Sequence, residues 1–214
     1  MTAHSGSLHL KQEGQFVGRK KIMKTVSVAG MAAAGVAAMG ALAAGQIEST
    51  GSGNRPESNA VVDRTGNLHV PDGYRTSYQL LGSWAVAADH GQGSKEFHVV
   101  YASPGTIDAY RRDGRFSDGA VLVKEVLRTV TEQMTTGTVS HADMLKGWFV
   151  MMKDSSGRYS GNKLWGDAWG WSWFDVANPS KTTSTDYKTD CLACHVPAQA
   201  SDWVYVGGYP PLKR

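Results

Sequence analysis

From about Leu68 onward the chain is a series of short apolar runs, rich in β-branched and aromatic residues and separated by Gly, Pro, Ser, Asp and Asn. Phe97–Ala102 (FHVVYA), Ala120–Val126 (AVLVKEV), Gly147–Lys153 (GWFVMMK) and Trp169–Val176 (WGWSWFDV) have the length and composition of strands. Between the first two, Ser103-Pro104 followed by IDAYRRD and Gly114 combines an N-cap, a proline at the first helical position and a glycine stop, which predicts a short helix. The expected fold class is mainly β with short α-helices, an α+β arrangement in one domain of about 145 residues without internal repeats.

Alternation along Ala120–Val126 puts Leu122, Lys124 and Val126 on one side and Val121, Val123 and Glu125 on the other. Both sides read as buried, and each carries one charge. Two readings of Lys124 are open at this level. It snorkels from or guards an edge strand, or it points into a pocket where a desolvated amine, once deprotonated, is a nucleophile.

Upstream the pattern changes. Lys20, Lys21 and Lys24 precede the run Thr25–Ala44, which ends in Ala41-Leu42-Ala43, the basic, apolar and small-residue order of a secretory signal peptide. Residues 1–44 are expected to be such a signal, cleaved near Ala43 or Ala44, with Met23 as an alternative start that would make residues 1–22 an over-called extension. A retained membrane anchor is the rival reading, because the run is about as long as a bilayer is thick. Its Ala- and Gly-rich composition makes the transfer free energy small. Residues 45–73 read as a flexible linker and approach to the domain, Gln46–Asn59 being small, polar and aperiodic; residues 74–214 read as the domain.

Of 22 basic and 19 acidic residues, five basic ones (Lys11, Arg19, Lys20, Lys21, Lys24) and Glu13 fall before Gln46, leaving 17 against 18. The exported part is near neutral. That excludes the electrostatic footprint of a nucleic-acid binder, and after signal cleavage no membrane partner is expected.

Both cysteines of the protein stand in Cys191-Leu192-Ala193-Cys194-His195, a C-x-x-C-H run. Two thiols three positions apart can add to the two vinyl groups of one haem, and the next residue offers its imidazole to the iron. A disulfide within so small a ring would constrain little of the chain. Zinc would need a further ligand pair at suitable spacing, and a thioredoxin-like dithiol a preceding βαβ unit. One covalent haem c is therefore expected, held by Cys191 and Cys194 with His195 as proximal metal ligand. Attachment takes place outside the cytoplasm, so motif and leader agree on a periplasmic location. Candidates for the second axial position are Met134, Met144, Met151, Met152, His69, His90, His98 and His141, with Met151 and Met152 also suited to core filling.

From about Tyr74 to Leu212 the domain resembles cytochrome P-460, the mono-haem, hydroxylamine-oxidising c-type cytochromes, and the related cytochromes c′-beta. The resemblance rests on Phe97–Val126 with its tyrosine strand, short helix, Phe116-Ser117-Asp118-Gly119 turn and Val-Lys-Glu strand, then on the Trp strand, the C-x-x-C-H run, Asp202-Trp203-Val204 and Tyr209-Pro210. It implies an antiparallel-sheet, homodimeric domain with a five-coordinate haem near the C-terminus, His195 proximal and the distal face open. It also implies a lysine bonded to a porphyrin meso carbon, matched here by Lys124, and oxidation of hydroxylamine with electrons passed to a soluble acceptor cytochrome. The alternative is a c′-beta-like protein that binds nitric oxide without turnover.

One departure stands out. Where hydroxylamine-oxidising relatives carry an arginine on the strand before the helix, this chain has His98, with Val100 and Ala102 on the same side. A histidine can exchange a proton near neutral pH, so His98 is a candidate proton relay or iron ligand. Its plainer role is a hydrogen-bonded residue at the pocket edge. Asp186 and Asp190 are further carboxylate candidates, and Trp165, Trp169, Trp171 and Trp173, which share one parity, read as core or dimer interface.

Overall fold

The structure is a computed structural model that describes residues 61–213. The signal-peptide reading and most of the linker, residues 1–60, lie outside the described residues. Among those described, no helix is long and apolar enough to cross a membrane.

Strands β1 (Gln79–Ala87), β2 (Ser94–Ala102), β3 (Val121–Met134), β4 (Gly137–Lys153), β5 (Trp165–Gly166) and β6 (Trp169–Asp175) pair antiparallel in one sheet, in the order β1-β2-β3-β4-β6-β5. The four sequence-predicted strands are all present, and three features exceed the expectation, the two-residue β5 being the smallest. β1 is new: its alternation is broken by a register shift between Leu80 and Gly82, which blurs the two-residue period. β3 and β4 run on past their apolar halves as an exposed hairpin closed at Met134 and Gly137, polar residues there being held by ladder pairing rather than by burial.

The helix expected between β2 and β3 is α2 (Thr106–Asp113), starting later than Ser103-Pro104 suggested. Gly105 adopts φ 79°, a left-handed turn that a helix cannot pass through, so it takes the N-cap position without a side-chain cap. Ser103 instead ties the loop to β3, its Oγ accepting from Val121 N at 3.0 Å. Gly114 ends α2 as expected, donating to Tyr110 O at 2.8 Å.

Both sheet faces are covered, which explains why both sides of β3 are apolar. On one face Val100, Ala102, Leu122, Met151 and Trp171 pack under α2 and the C-terminal segment. On the other, Val121, Val123, Val150 and Phe174 pack under Leu68, Tyr74, Leu164 and Trp165. Glu125 on this second face is buried and satisfied by Tyr74 Oη and by Arg75 Nε at 2.5 Å, the short helix α1 (Tyr74–Ser77) bringing both donors. Residues ahead of Tyr74 also join the domain: Val62 and Leu68 bridge to each other, Leu68 packs in the second core, and Trp165 Nε1 donates to the Gly66 carbonyl at 2.7 Å.

Candidate functional site

Cross-strand register sets the first face. Val100 opposes Lys124, Lys124 opposes Phe149, and Phe149 opposes Trp173, so one row runs across β2, β3, β4 and β6. His98 opposes Val126 one pair along, and Leu122, Met151 and Trp171 form the next row on the other side. These rows form one wall of a cavity of about 460 Å³. Cys191, Cys194 and His195 face it from the C-terminal segment, with Tyr205 and Tyr209 beside them. The cavity thus brings together Lys124, His98, Cys191, Cys194 and His195, residues the sequence scatters over almost 100 positions.

The cysteines sit on a π-helical turn, Lys188–Leu192, that runs into α3 (Ala193–His195). Asp190 shapes this turn: its carboxylate accepts the backbone N–H of Thr185 at 2.7 Å and of Asp186 at 3.1 Å. Those hydrogen bonds hold the Asp190 carboxyl below its ordinary range, so its work is architectural even though it reaches the cavity rim. Asp186 does not line the cavity; it accepts from Lys188 N at 3.0 Å. Three positions apart on a helical turn, the two thiols lie on one side. Cys191 is buried, which pushes its thiol up to about 11, and Cys194 is exposed at the mouth.

His195 Nδ1 lies 2.7 Å from the Trp203 carbonyl. A carbonyl can only accept, so Nδ1 carries the proton and Nε2 keeps its lone pair. Trp171 packs edge-on against the ring at 4.8 Å, and burial holds the imidazole neutral by lowering its pKa. Two thiols and an imidazole with a free Nε2 at the edge of an apolar cavity are a donor set that fits a haem: sulfur for two vinyl carbons, nitrogen for iron.

Lys124 Nζ stands 4.3 Å from the centre of the Phe149 ring. Burial lowers its pKa, partly opposed by the negative charges of the cysteines and Glu96 when ionised. The edge-strand reading of Lys124 falls, because β3 is paired on both sides, by β2 and β4.

Sequence reasoning missed Glu96 and Lys146. Glu96 Oε2 accepts from His98 Nε2 at 3.1 Å, and Glu96 Oε1 accepts from Lys146 Nζ. Glu96 is two residues before His98 on the same strand, so strand parity could have flagged it. Lys146 is reached only through the β3–β4 register, which shifts near Val126 and Leu127 and could not be read from sequence. Burial lowers the His98 pKa and Glu96 raises it in part; with Glu96 as acceptor, Nε2 bears the proton and Nδ1 is the basic nitrogen. Of the other axial candidates Met151 lines the cavity, whereas Met134, Met144, Met152, His69, His90 and His141 do not. Trp165, Trp169 and Trp171 are buried in the core as the sequence reading has it, Trp165 on the opposite face, while Trp171 and the half-buried Trp173 also line the cavity.

Comparison with known proteins gives one family, described as Cytochrome P460, whose model matches residues 71–206, well over half of the chain. No curated protein matches.

Proposed function

The chain belongs to the cytochrome P460 family, and from that membership and the cavity we propose that it is an exported mono-haem c-type cytochrome that oxidises hydroxylamine. The family makes it a haem protein of the cytochrome class; the substrate, the covalent bonds and the electron acceptor are the proposal. The observation that carries it is the convergence of Lys124, His98 and the Cys191–His195 turn on one cavity.

A haem held there would supply an iron able to accept single electrons and to bind a small nitrogen ligand. Cys191 and Cys194 would hold it by adding S–H across each vinyl group, sulfur to one carbon and hydrogen to the other, which needs no oxidant. His195 would ligate iron through Nε2. Val100, Val126, Phe149 and Trp173 exclude water and keep the pocket apolar. Oxidation of hydroxylamine would release protons, and His98 Nδ1 would accept them one at a time and pass each on to solvent, with Glu96 holding the ring and Lys146 holding Glu96. Lys124, its charge disfavoured by burial, would present a free amine to the porphyrin edge; exchanging a meso C–H and an amine N–H for the C–N bond that the family resemblance implies releases two protons and two electrons, so that bond would form only with a two-electron oxidant such as a peroxide.

The test is hydroxylamine-dependent reduction of a soluble acceptor cytochrome by the purified protein. Parent should turn over with a Soret band shifted far to the red, whereas Lys124→Ala should keep its haem and lose both. Unchanged turnover in Lys124→Ala would remove the cross-link from the account. A second reading, nitric oxide binding without turnover, has one observation in its favour: a free Lys124 ammonium is partly stabilised where it stands over Phe149. Tryptic mapping that finds Lys124 unmodified in a protein inert to hydroxylamine would favour that reading. The homodimer and the periplasmic location belong to the same proposal and are read by gel filtration and cell fractionation.

A further inference from the structure

Two consecutive residues after the haem motif, Asp202 and Trp203, hold left-handed backbone angles, φ 59° and 67°. Neither is glycine, and a bulky aromatic does not choose this conformation on its own, so the surrounding structure imposes it. Three elements converge on Asp202. Its Oδ1 accepts from Lys153 Nζ at 2.5 Å, its Oδ2 from Phe116 N at 3.1 Å, and its carbonyl from Trp169 Nε1 at 3.1 Å. Lys153, at the end of β4, is only 6% exposed, and its ammonium lies 4.9 Å from the centre of the Trp169 ring. A charge buried to that degree is retained where it is paired and hydrogen-bonded, as here. The next carbonyl along, that of Trp203, is the one that receives Nδ1–H of His195 at 2.7 Å.

We propose that the Lys153–Asp202 clamp is the positioning device for the axial histidine: it holds the Asp202–Trp203 turn so that the Trp203 carbonyl fixes the His195 ring and sets how strongly Nε2 donates to iron. The inference rests on the reading of His195 as the iron ligand. A carbonyl that draws on the Nδ1 proton makes the ring more basic at Nε2, which strengthens the iron–nitrogen bond and favours ferric over ferrous iron. When the clamp is cut, the left-handed pair relaxes, the carbonyl turns away and both effects reverse. Lys153 and Asp202 touch neither substrate nor haem in this account; they act through the histidine.

Resonance Raman spectroscopy of the ferrous holoprotein reads the iron–histidine stretch directly, and redox titration reads the midpoint potential. Asp202→Asn tolerates the left-handed angle and removes the charge; Lys153→Met removes the partner without touching that backbone, and serves if Asp202→Asn does not accumulate. Both should keep haem on Cys191 and Cys194, lower the stretching frequency and raise the potential. Lys153→Arg should restore parental values, and Glu125→Gln, a buried change on the opposite sheet face, should leave both where they are in the parent. A stretch in the parent at the frequency of an imidazole with no hydrogen bond at Nδ1 overturns the proposal, as do parental values in Asp202→Asn and Lys153→Met. A parent without haem, or without that stretch, overturns the reading of His195 and the clamp's role together; a normal stretch that the variants do not move overturns the clamp alone.

Discussion

At His98 two effects oppose each other: burial disfavours the imidazolium, and the Glu96 carboxylate 3.1 Å away favours it. Burial is the larger, so the folded pKa lies below the ordinary value of about 6.5. The unfolded chain then takes up the proton first as the pH falls, so stability contributed by neutral His98 is present above about pH 6.5 and lost as the pH drops toward the folded value. Glu96→Gln removes the favourable partner and should move the His98 titration, followed by NMR of its ring protons, to still lower pH. An upward move, or none, would show that Glu96 does not act on His98. This pairing was half legible in the sequence. His98 departs from the pattern of the family it resembles and Glu96 shares its strand parity, but the lysine that holds the carboxylate comes from a register that two-residue periodicity does not fix. Lys124 is the converse case, since its oddity on an apolar strand face was plain and only the paired neighbours of β3 decided that it guards no edge.

At the scale of elements, the floor under His195 is built by close aromatic contact. Trp171 packs on the histidine ring and stacks with Tyr187 at 6.2 Å between centres, and Tyr187 lies over Gly166 at the end of β5. A Cβ at Gly166 would fall 2.2 Å from the Tyr187 hydroxyl, so Gly166→Ala must displace that ring. Overpacking of this kind costs about 1–3 kcal/mol. Gly166→Ala should lower the thermal midpoint and perturb the visible spectrum together; a wild-type midpoint measured by calorimetry would mean that the stack adapts freely. The strands that frame this floor were readable because each is short, apolar and bounded by turns. β1 was not, its period being interrupted at Gly82, nor was the outer β3–β4 hairpin, whose residues are polar and whose stability comes from backbone pairing that leaves no apolar signature.

For the molecule as a whole, acid should be more damaging than mild base. Asp154 is buried; burial raises its pKa, but hydrogen bonds from Arg158, Ser156 and the Tyr159 backbone outweigh this and lower it overall. Glu96, held by Lys146, is lowered as well. For both, the folded pKa is below the unfolded one, so their contribution is full above about pH 4–5 and lost as the pH falls through the folded values, in the same direction as His98. Thermal midpoints measured from pH 7 down to pH 3 should fall, and Asp154→Asn should flatten the slope at the acid end; an unchanged slope would exclude Asp154 as a contributor. The proposed haem chemistry is carried in sequence by the Cys191–His195 run, where local spacing alone points to the ligands, whereas the proposed clamp on the Trp203 carbonyl depends on contacts from three distant segments and leaves no local trace. The central claim is that one haem is bonded to Cys191 and Cys194 and ligated by His195. Mass spectrometry of the protein isolated from its exporting host tests it most directly: the tryptic peptide spanning Cys191–His195 should carry the mass of one haem and resist alkylation at both thiols, and a peptide of unmodified mass with two alkylatable cysteines would contradict the account.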